Sequence, residues 1–334
     1  MVPEDILSIS RGKKNIQLNA GERKWLAKGK IYTDKDLKVG SDKHFALSHL
    51  DGGVIFVSIG FDEFSSTLSD HFDEIDLNGG LFLALINELD IYPLSNEILS
   101  LRAMEEVFLP ISEDRWLNLQ DIEKYFSRFK FFTPKENSSL LSMDDLHLSL
   151  IKFSIFALTC SQRVMDVAFS SNYLDGVHRL CSMQNRLIPW GRIFRVLTER
   201  RVENSFLELY RCVEILYPLA RIAELKDLLG TQKGHLDISS VIETTLGWRP
   251  QEEQAIVDLL SNVTDDLKNR LVACHGDGMA AAKLFYKVRN HCVHLRPLHQ
   301  KNLFLETLLW SDFLDVSIEL VYEIYAKSFC EIDG

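Results

Sequence analysis

The sequence predicts a mainly α-helical chain, in which an N-terminal α+β region is followed by a helical layer and a C-terminal four-helix bundle. Two segments before about residue 96 place turn dipeptides between apolar runs, which favours strands. Beyond that point, apolar residues recur at helical spacing. The last third divides into four amphipathic segments with short connections, which is typical of a helix bundle. We therefore expect three regions, at 1–133, 143–200 and 201–334.

Composition and charge exclude several classes of protein. The chain has 334 residues and a formal net charge of -11. A protein that coats nucleic acid along its whole surface neutralises many phosphates at once, so this charge excludes that class. The six cysteines follow no short regular spacing, which predicts reduced thiols. Without a secretion signal or an apolar stretch of membrane-spanning length, we expect a cytoplasmic protein that does not enter a membrane.

Two turn signals organise the α+β region, whose role the sequence does not indicate. Asp51-Gly52 lies between apolar runs and predicts a hairpin. Asn78-Gly79 permits two interpretations, because Asn78 could also cap a helix that begins near Leu81. From about Asn96 onward the strand signals fade, and we expect helices.

A polar segment, "TPKENSSLLS", separates this region from the helical layer. The next segment begins with Asp144 and Asp145, whose carboxylates favour the positive end of a helix. In the bundle, Ser205 and Glu208 fit a capping box, Pro218 should kink or split the first helix, and Gly230 should end it. The three later bundle segments are expected between the following residues: Pro250 and Gly276, Asp277 and Pro297, Asn302 and Tyr325.

The third bundle segment concentrates positive charge in an acidic protein. No acidic residue lies between Asp277 and Glu306. Five basic residues lie there: Lys283, Lys287, Arg289, Arg296 and Lys301. A solvated helix face would explain such a run without any function. For a charge run alone, that is the favoured explanation. The positions of the individual residues must decide whether this run is instead a phosphate-binding surface.

Arg289 and His294 flank the apolar stripe of that segment, which comprises Leu284, Val288, His291 and Leu295. Their five-residue separation corresponds to about 140° around a helix, so one copy does not bring them together. A second copy packed on the stripe would bring them together. A guanidinium suits phosphate oxygens and an imidazole exchanges protons near neutral pH, which together predict phosphodiester cleavage in a homodimer with a composite site.

The hexapeptide "RNHCVH", residues 289–294, resembles the R-[polar]-x-x-x-H signature of HEPN-domain ribonucleases. The upstream "FLELYRCVEILYPLARIAELK" resembles the first long helix of that family, especially its ApeA-like abortive-infection branch. The resemblance extends from about Ser205 to the C-terminus. It implies a HEPN-like bundle and cofactor-free, metal-independent RNA cleavage through the neighbouring 2′-hydroxyl. The products would carry a 2′,3′-cyclic phosphate and a 5′-hydroxyl.

The resemblance also assigns roles. It implies that His294 transfers protons, that Arg289 stabilises charge on the phosphorane, and that Asn290 orients either His294 or the phosphate. Glu214 would pair with Arg289 in the resting state. Further substrate-binding candidates are Lys283, Lys287, Arg296 and Glu214. A toxin-like or antiphage effector of this kind implies an inhibitory or trigger protein as a partner.

The sequence permits two other interpretations, a zinc site and a non-catalytic module. Cys274-His275 and His291-Cys292 have the residue types of zinc ligands, but adjacent pairs on helices do not converge readily on one tetrahedral centre, so we expect no metal. The chain also lacks the Gly-rich loop of nucleotide-driven enzymes. The alternative function is a non-catalytic dimerisation or docking module, in which Arg289 and His294 are structural.

Overall fold

The computed structural model describes residues 30–39, 42–48, 53–61, 63–76, 125–136, 138, 140, 145–161, 165–185, 187–247, 251–276, 278–293 and 303–328, together with residues 20, 79, 81, 82 and 85. The chain forms two compact units, residues 1–163 and 164–334. The described part is mostly helical, with one antiparallel sheet on its N-terminal side. This confirms the predicted mainly α-helical class. No helix in the described ranges is long and apolar enough to cross a membrane.

The first unit contains a five-stranded sheet with the strand order β1-β2-β3-β5-β4. All its pairings are antiparallel. The strands are β1 (Lys30–Val39), β2 (Asp42–Ser48), β3 (Val54–Ile59), β4 (Phe72–Ile75) and β5 (Phe129–Pro134). A short 3-10 helix, Ser66–Asp70, precedes β4.

The predicted hairpin around Asp51-Gly52 is confirmed, since β2 and β3 pair with Ser48 opposite Val54. At the second turn signal, the helical interpretation is correct, because Gly79, Leu81, Phe82 and Leu85 are all helical. The expectation that strands end before residue 96 is wrong at β5. This strand lies between β3 and β4, and its three phenylalanines, Phe129, Phe131 and Phe132, are all buried. A strand buried on both faces shows no alternation, which explains why its sequence gave no strand signal.

Helix α1 (Leu146–Cys160) packs against β1 and β2 in the first unit. Its predicted start is confirmed, because the Asp145 carboxylate accepts a hydrogen bond from the amide of Leu148. Phe153 on α1 stacks on Phe56 of β3 with ring centroids 4.7 Å apart. Although the sequence placed this helix in a connecting layer at 143–200, its packing places it with the sheet.

The second unit is helical throughout its described part. Its elements are α2 (Ser171–Cys181), α3 (Trp190–Thr198), α4 (Val202–Glu214), α5 (Tyr217–Leu229), α6 (His235–Leu246), α7 (Glu252–Ser261), α8 (Asp265–Ala273), α9 (Ala281–Val293), α10 (Leu303–Glu306) and α11 (Trp310–Ser328). Helix α4 is at its centre and contacts α3, α7, α9 and α11. Helix α7 also packs along α9.

The capping box predicted at Ser205 is wrong. Helix α4 begins at Val202, and the Ser205 hydroxyl donates to the buried carbonyl of Val196 on α3. A tertiary hydrogen bond therefore replaces the local one. Two other signals are confirmed: Pro218 lies in the first turn of a new helix after a break, and Gly230 ends that helix with a φ of 58°.

Candidate active site

Helix α9 positions the candidate site. It carries four of the residues selected from the sequence: Lys283, Lys287, Arg289 and Asn290. A fifth, Glu214, ends α4. His294 and Arg296, the remaining two, lie outside the described residues.

The buried face of α9 fixes which side chains reach the surface. Ala281, Leu284, Phe285 and Val288 are buried, whereas His291 is half-buried. The predicted apolar stripe is therefore confirmed at Leu284 and Val288, whereas His291 is only half-buried. Its fourth member, Leu295, lies outside the described residues. Since Arg289 is one position beyond Val288, it emerges at the edge of this face.

An aromatic platform supports the Arg289 guanidinium. Its central carbon lies 5.7 Å from the centre of the Tyr210 ring on α4. The other rings continue inward, since Tyr210 stacks on Phe285 at 5.2 Å. The side chain of Arg289 keeps 18% of its surface exposed. A guanidinium over an aromatic face gains cation–π stabilisation, so this platform restricts where Arg289 can move.

Two carboxylates meet the guanidinium from different helices. Nη2 lies 3.4 Å from Oε1 of Glu214, and Nη1 lies 3.4 Å from Oε2 of Glu252 at the start of α7. The ion pair expected between Glu214 and Arg289 is thereby confirmed. Glu252 was missed, because an acid in the first turn of a helix is already explained by the helix dipole.

Asn290 completes the shell around Arg289. Nη1 of Arg289 donates to Oδ1 of Asn290 at 3.0 Å. This contact between sequence neighbours gives Asn290 an orienting role toward the arginine. The sequence had predicted that Asn290 orients either His294 or the phosphate. His294 lies outside the described residues, so this role stays a prediction.

Tyr210 supports Arg289 as a neutral group. Burial raises the pKa of Tyr210 well above its usual range, and neither its hydrogen bond with the Tyr217 hydroxyl nor the nearby Arg289 charge offsets that effect. Burial also raises the pKa of Tyr217. Both hydroxyls therefore stay protonated near neutral pH, and Tyr210 is an aromatic surface rather than a proton acceptor.

Lys287 contacts a different group of side chains, around Phe304. Its Nζ lies 4.2 Å from the centre of the Phe304 ring on α10. His291 lies against the same ring at 4.7 Å, and its Nδ1 donates to the Lys287 carbonyl at 2.8 Å. Residues that are two positions apart in a helix point about 160° away from each other. Lys287 and Arg289 therefore emerge on opposite sides of α9. Lys283 is exposed one turn before Lys287.

The cysteine within the motif, Cys292, is held in its thiol form by burial. Cys292 is half-buried, and burial followed by the negative charge of Glu203 raises the pKa of its thiol to about 12. Only a thiolate attacks readily. His275, part of the other adjacent pair considered for zinc, packs on Phe304 at 4.2 Å. In the described ranges, no three His, Cys, Asp or Glu side chains form a group that could hold a metal ion.

The described part of the site brings one guanidinium and two carboxylates together. A guanidinium suits a phosphate through parallel N–H donors, and here two carboxylates accept from or face those donors. The residue assigned to proton transfer, His294, lies beyond the described part of α9. In comparisons with models of protein families, with curated proteins and with solved structures, the chain has no match.

Proposed function

We propose that this protein is a HEPN-type endoribonuclease that cleaves RNA without a metal ion. The observation that carries the proposal is the placement of Arg289 on α9. It is held between the Tyr210 ring and the carboxylates of Glu214 and Glu252, with Asn290 beside it. This arrangement holds a mostly buried guanidinium, 18% exposed, in a fixed orientation, as stabilisation of a developing phosphorane requires.

In the proposed reaction, the 2′-hydroxyl of a ribose attacks the adjacent phosphorus. His294 accepts the proton of that hydroxyl, and Arg289 binds the oxygens on which negative charge develops. The bond from phosphorus to the 5′-oxygen of the next nucleotide then breaks. That oxygen takes a proton from water, and the proton held by His294 returns to the solvent. The products are a 2′,3′-cyclic phosphate and a 5′-hydroxyl. Only RNA supplies this internal nucleophile.

A homodimer would complete the site. Within the proposed HEPN-like four-helix bundle, α4, α7, α9 and α11 are the main helices, and the contacts of α4 with the other three support that choice. Arg289 and His294 flank one stripe, so the pocket would combine Arg289 from one protomer with His294 from its partner. An enzyme that cleaves cellular RNA in the cytoplasm must be restrained. We therefore include a toxin-like or defence role and an inhibitory or trigger protein in the proposal.

A second function has support from the same contacts. Arg289 is mostly buried and already paired with two carboxylates, as a structural arginine would be. The protein would then be a dimerisation or docking module. Loss of folding or dimer formation on substitution of Arg289, with no RNA cleavage in the parent protein, would favour this alternative.

The test is cleavage of total cellular RNA in the presence of a chelator. The full chain and its His294→Ala variant are compared by mapping the cut positions and the chemistry of the ends. We expect the parent protein to leave cyclic-phosphate ends and the variant to leave the RNA intact. Cleavage that persists in the variant, or that leaves a 3′-hydroxyl, would contradict the mechanism.

A further inference from the structure

A second arginine cluster lies on the helical hairpin formed by α3 and α4. The Glu208 side chain is buried, with 5% of the residue exposed. Its Oε2 accepts from Nη1 of Arg192 at 2.9 Å, and its Oε1 accepts from Nη1 of Arg211. We refer to Arg192, Glu208 and Arg211 as the arginine triad.

The packing of α3 against α4 fixes the position of Glu208 within the triad. Helix α3 packs along α4, and the Ser205 hydroxyl binds the Val196 carbonyl at 3.0 Å between them. Glu208 is one turn further along α4, so its carboxylate is held in the interior of the hairpin. A buried carboxylate that binds two guanidinium groups restricts both of them. The arginines therefore lose less freedom when they bind a ligand than flexible surface arginines would.

The triad has both unused donors and excess positive charge. Two guanidinium groups share one carboxylate, and each uses a single nitrogen in its contacts with the described residues. Their side chains stay 39% and 46% exposed, for Arg192 and Arg211 respectively. The remaining N–H groups can thus reach solvent. A fixed, exposed pair of guanidinium groups is suited to phosphate oxygens.

The triad is adjacent to the candidate active site. Arg211 precedes Glu214 by three residues on α4, and residues at that spacing are neighbours on a helix surface. Glu214 in turn contacts Arg289. Ion pairs join Arg192, Glu208 and Arg211 in one group and Glu214, Arg289 and Glu252 in another. The spacing of Arg211 and Glu214 on α4 places the two groups side by side, in a row of alternating sign.

We propose that Arg192 and Arg211 bind phosphate groups of single-stranded RNA that flank the phosphate at Arg289. This inference rests on the proposed function, and it adds the path of the substrate. The basic strip on α9 had indicated Lys283 and Lys287 as flanking contacts, but Lys287 packs on Phe304 on the opposite side of that helix. The row of charges leads from Arg289 along α4 instead.

The experiment measures binding of a single-stranded 2′-O-methyl RNA, which lacks the nucleophile and is not cleaved. Affinity is measured by fluorescence anisotropy at several salt concentrations for the full chain and for Arg192→Ala, Arg211→Ala and Arg270→Ala. Arg270 is the matched control, because it binds Glu319 through two hydrogen bonds and is 43% exposed. Each triad variant retains one arginine on Glu208, so the buried carboxylate keeps a partner.

We expect each triad variant to bind about three- to fivefold more weakly. In each variant, the slope of the logarithm of affinity against the logarithm of salt concentration should also become shallower by about 0.7. That is the contribution of one phosphate contact in a single strand. Arg270→Ala should bind as the parent protein does. Equal affinity and equal slope for all four proteins would overturn the inference, as would no binding by the parent protein. Arg211→Lys, which retains the charge, should keep most of the slope, and thermal melting checks that each variant is folded.

Failure of this inference is distinguishable from failure of the proposed function. The binding assay requires no cleavage, whereas the His294→Ala comparison depends on cleavage alone. If RNA binding depends on the triad but the protein does not cleave RNA, the inferred phosphate contacts stand and the proposed ribonuclease activity is wrong. Cleavage that depends on His294, with binding unaffected at Arg192 and Arg211, would do the reverse.

Discussion

Arg289 and Glu214 form an ion pair between α9 and α4, with 3.4 Å between Nη2 and Oε1. Glu252 on α7 contacts the same guanidinium at an equal distance. Two carboxylates against one guanidinium leave an excess of negative charge at the position where a phosphate would bind. In the proposed enzyme this arrangement is a resting state, in which an incoming phosphodiester competes with side chains of the protein.

Substitution of Glu252 should favour RNA binding. In Glu252→Gln the side chain keeps its shape and loses its charge, so we expect binding of uncleavable single-stranded RNA to become about two- to fivefold tighter. The free energy of unfolding should change by less than about 1 kcal/mol, because a half-exposed ion pair contributes little. Anisotropy titrations and urea denaturation measure the two quantities.

Glu253→Gln is the control for that experiment. Glu253 is exposed in the same first turn of α7 and has no ion pair with Arg289 among the contacts of the described residues. The substitution Glu253→Gln removes the same charge from the same helix. Equal effects of the two substitutions would show that the gain comes from net charge alone, and weaker binding in Glu252→Gln would contradict the resting-state account.

Lys287 should contribute to stability more than to RNA cleavage. Lys287→Met keeps most of the apolar stem and removes the cation over the Phe304 ring, so we expect a loss of about 0.5–1 kcal/mol in the free energy of unfolding. Lys283→Met, at an exposed position on the same helix, should change stability by less. Urea denaturation compares the two. A larger loss in Lys283→Met would refute the assignment of Lys287 to the Phe304 cluster.

Alkaline pH should destabilise the fold through its buried thiols and phenols. Burial raises the pKa of Cys274 to about 11 and that of Cys292 to about 12, from an ordinary value of 9.0. Above that ordinary value the unfolded chain releases protons that the folded chain retains. The stability linked to these groups is therefore complete below pH 9 and is lost as the pH rises through the folded values.

Cys274→Ala isolates one of these groups. We expect the loss of stability between pH 8 and pH 10 to be smaller in this variant than in the parent protein, by about 1 kcal/mol. Chemical denaturation at both pH values, with a reducing agent present, makes the comparison. An identical loss in both proteins would show that Cys274 does not titrate with unfolding.

The contrast between local and tertiary signals explains what the sequence could predict. Asp145, Pro218 and Gly230 act on their own turns of helix, and each was identified correctly. Ser205 also carried a local signal, but its hydroxyl bonds to α3 instead. Strand β5 gave no alternating pattern, because side chains on both of its faces are buried.

The site shows the same limit. Arg289 and Asn290 could be selected because they lie within one short motif, and Glu214 because the family resemblance implied it. Tyr210 and Glu252 come from helices distant in sequence, and neither residue type signals an approach to an arginine on α9. Their role depends on the packing of α4 and α7 against α9, which a single sequence does not specify.

The measurement that tests the central claim most directly is RNA cleavage by Arg289→Lys in the presence of a chelator, with Arg270→Lys as the control. Both substitutions keep a positive charge and remove the guanidinium fork. We predict that Arg289→Lys cleaves at least about 100-fold more slowly while staying folded at the assay temperature, and that Arg270→Lys cleaves like the parent protein. Undiminished cleavage by folded Arg289→Lys would contradict the assignment of Arg289 to the phosphorane.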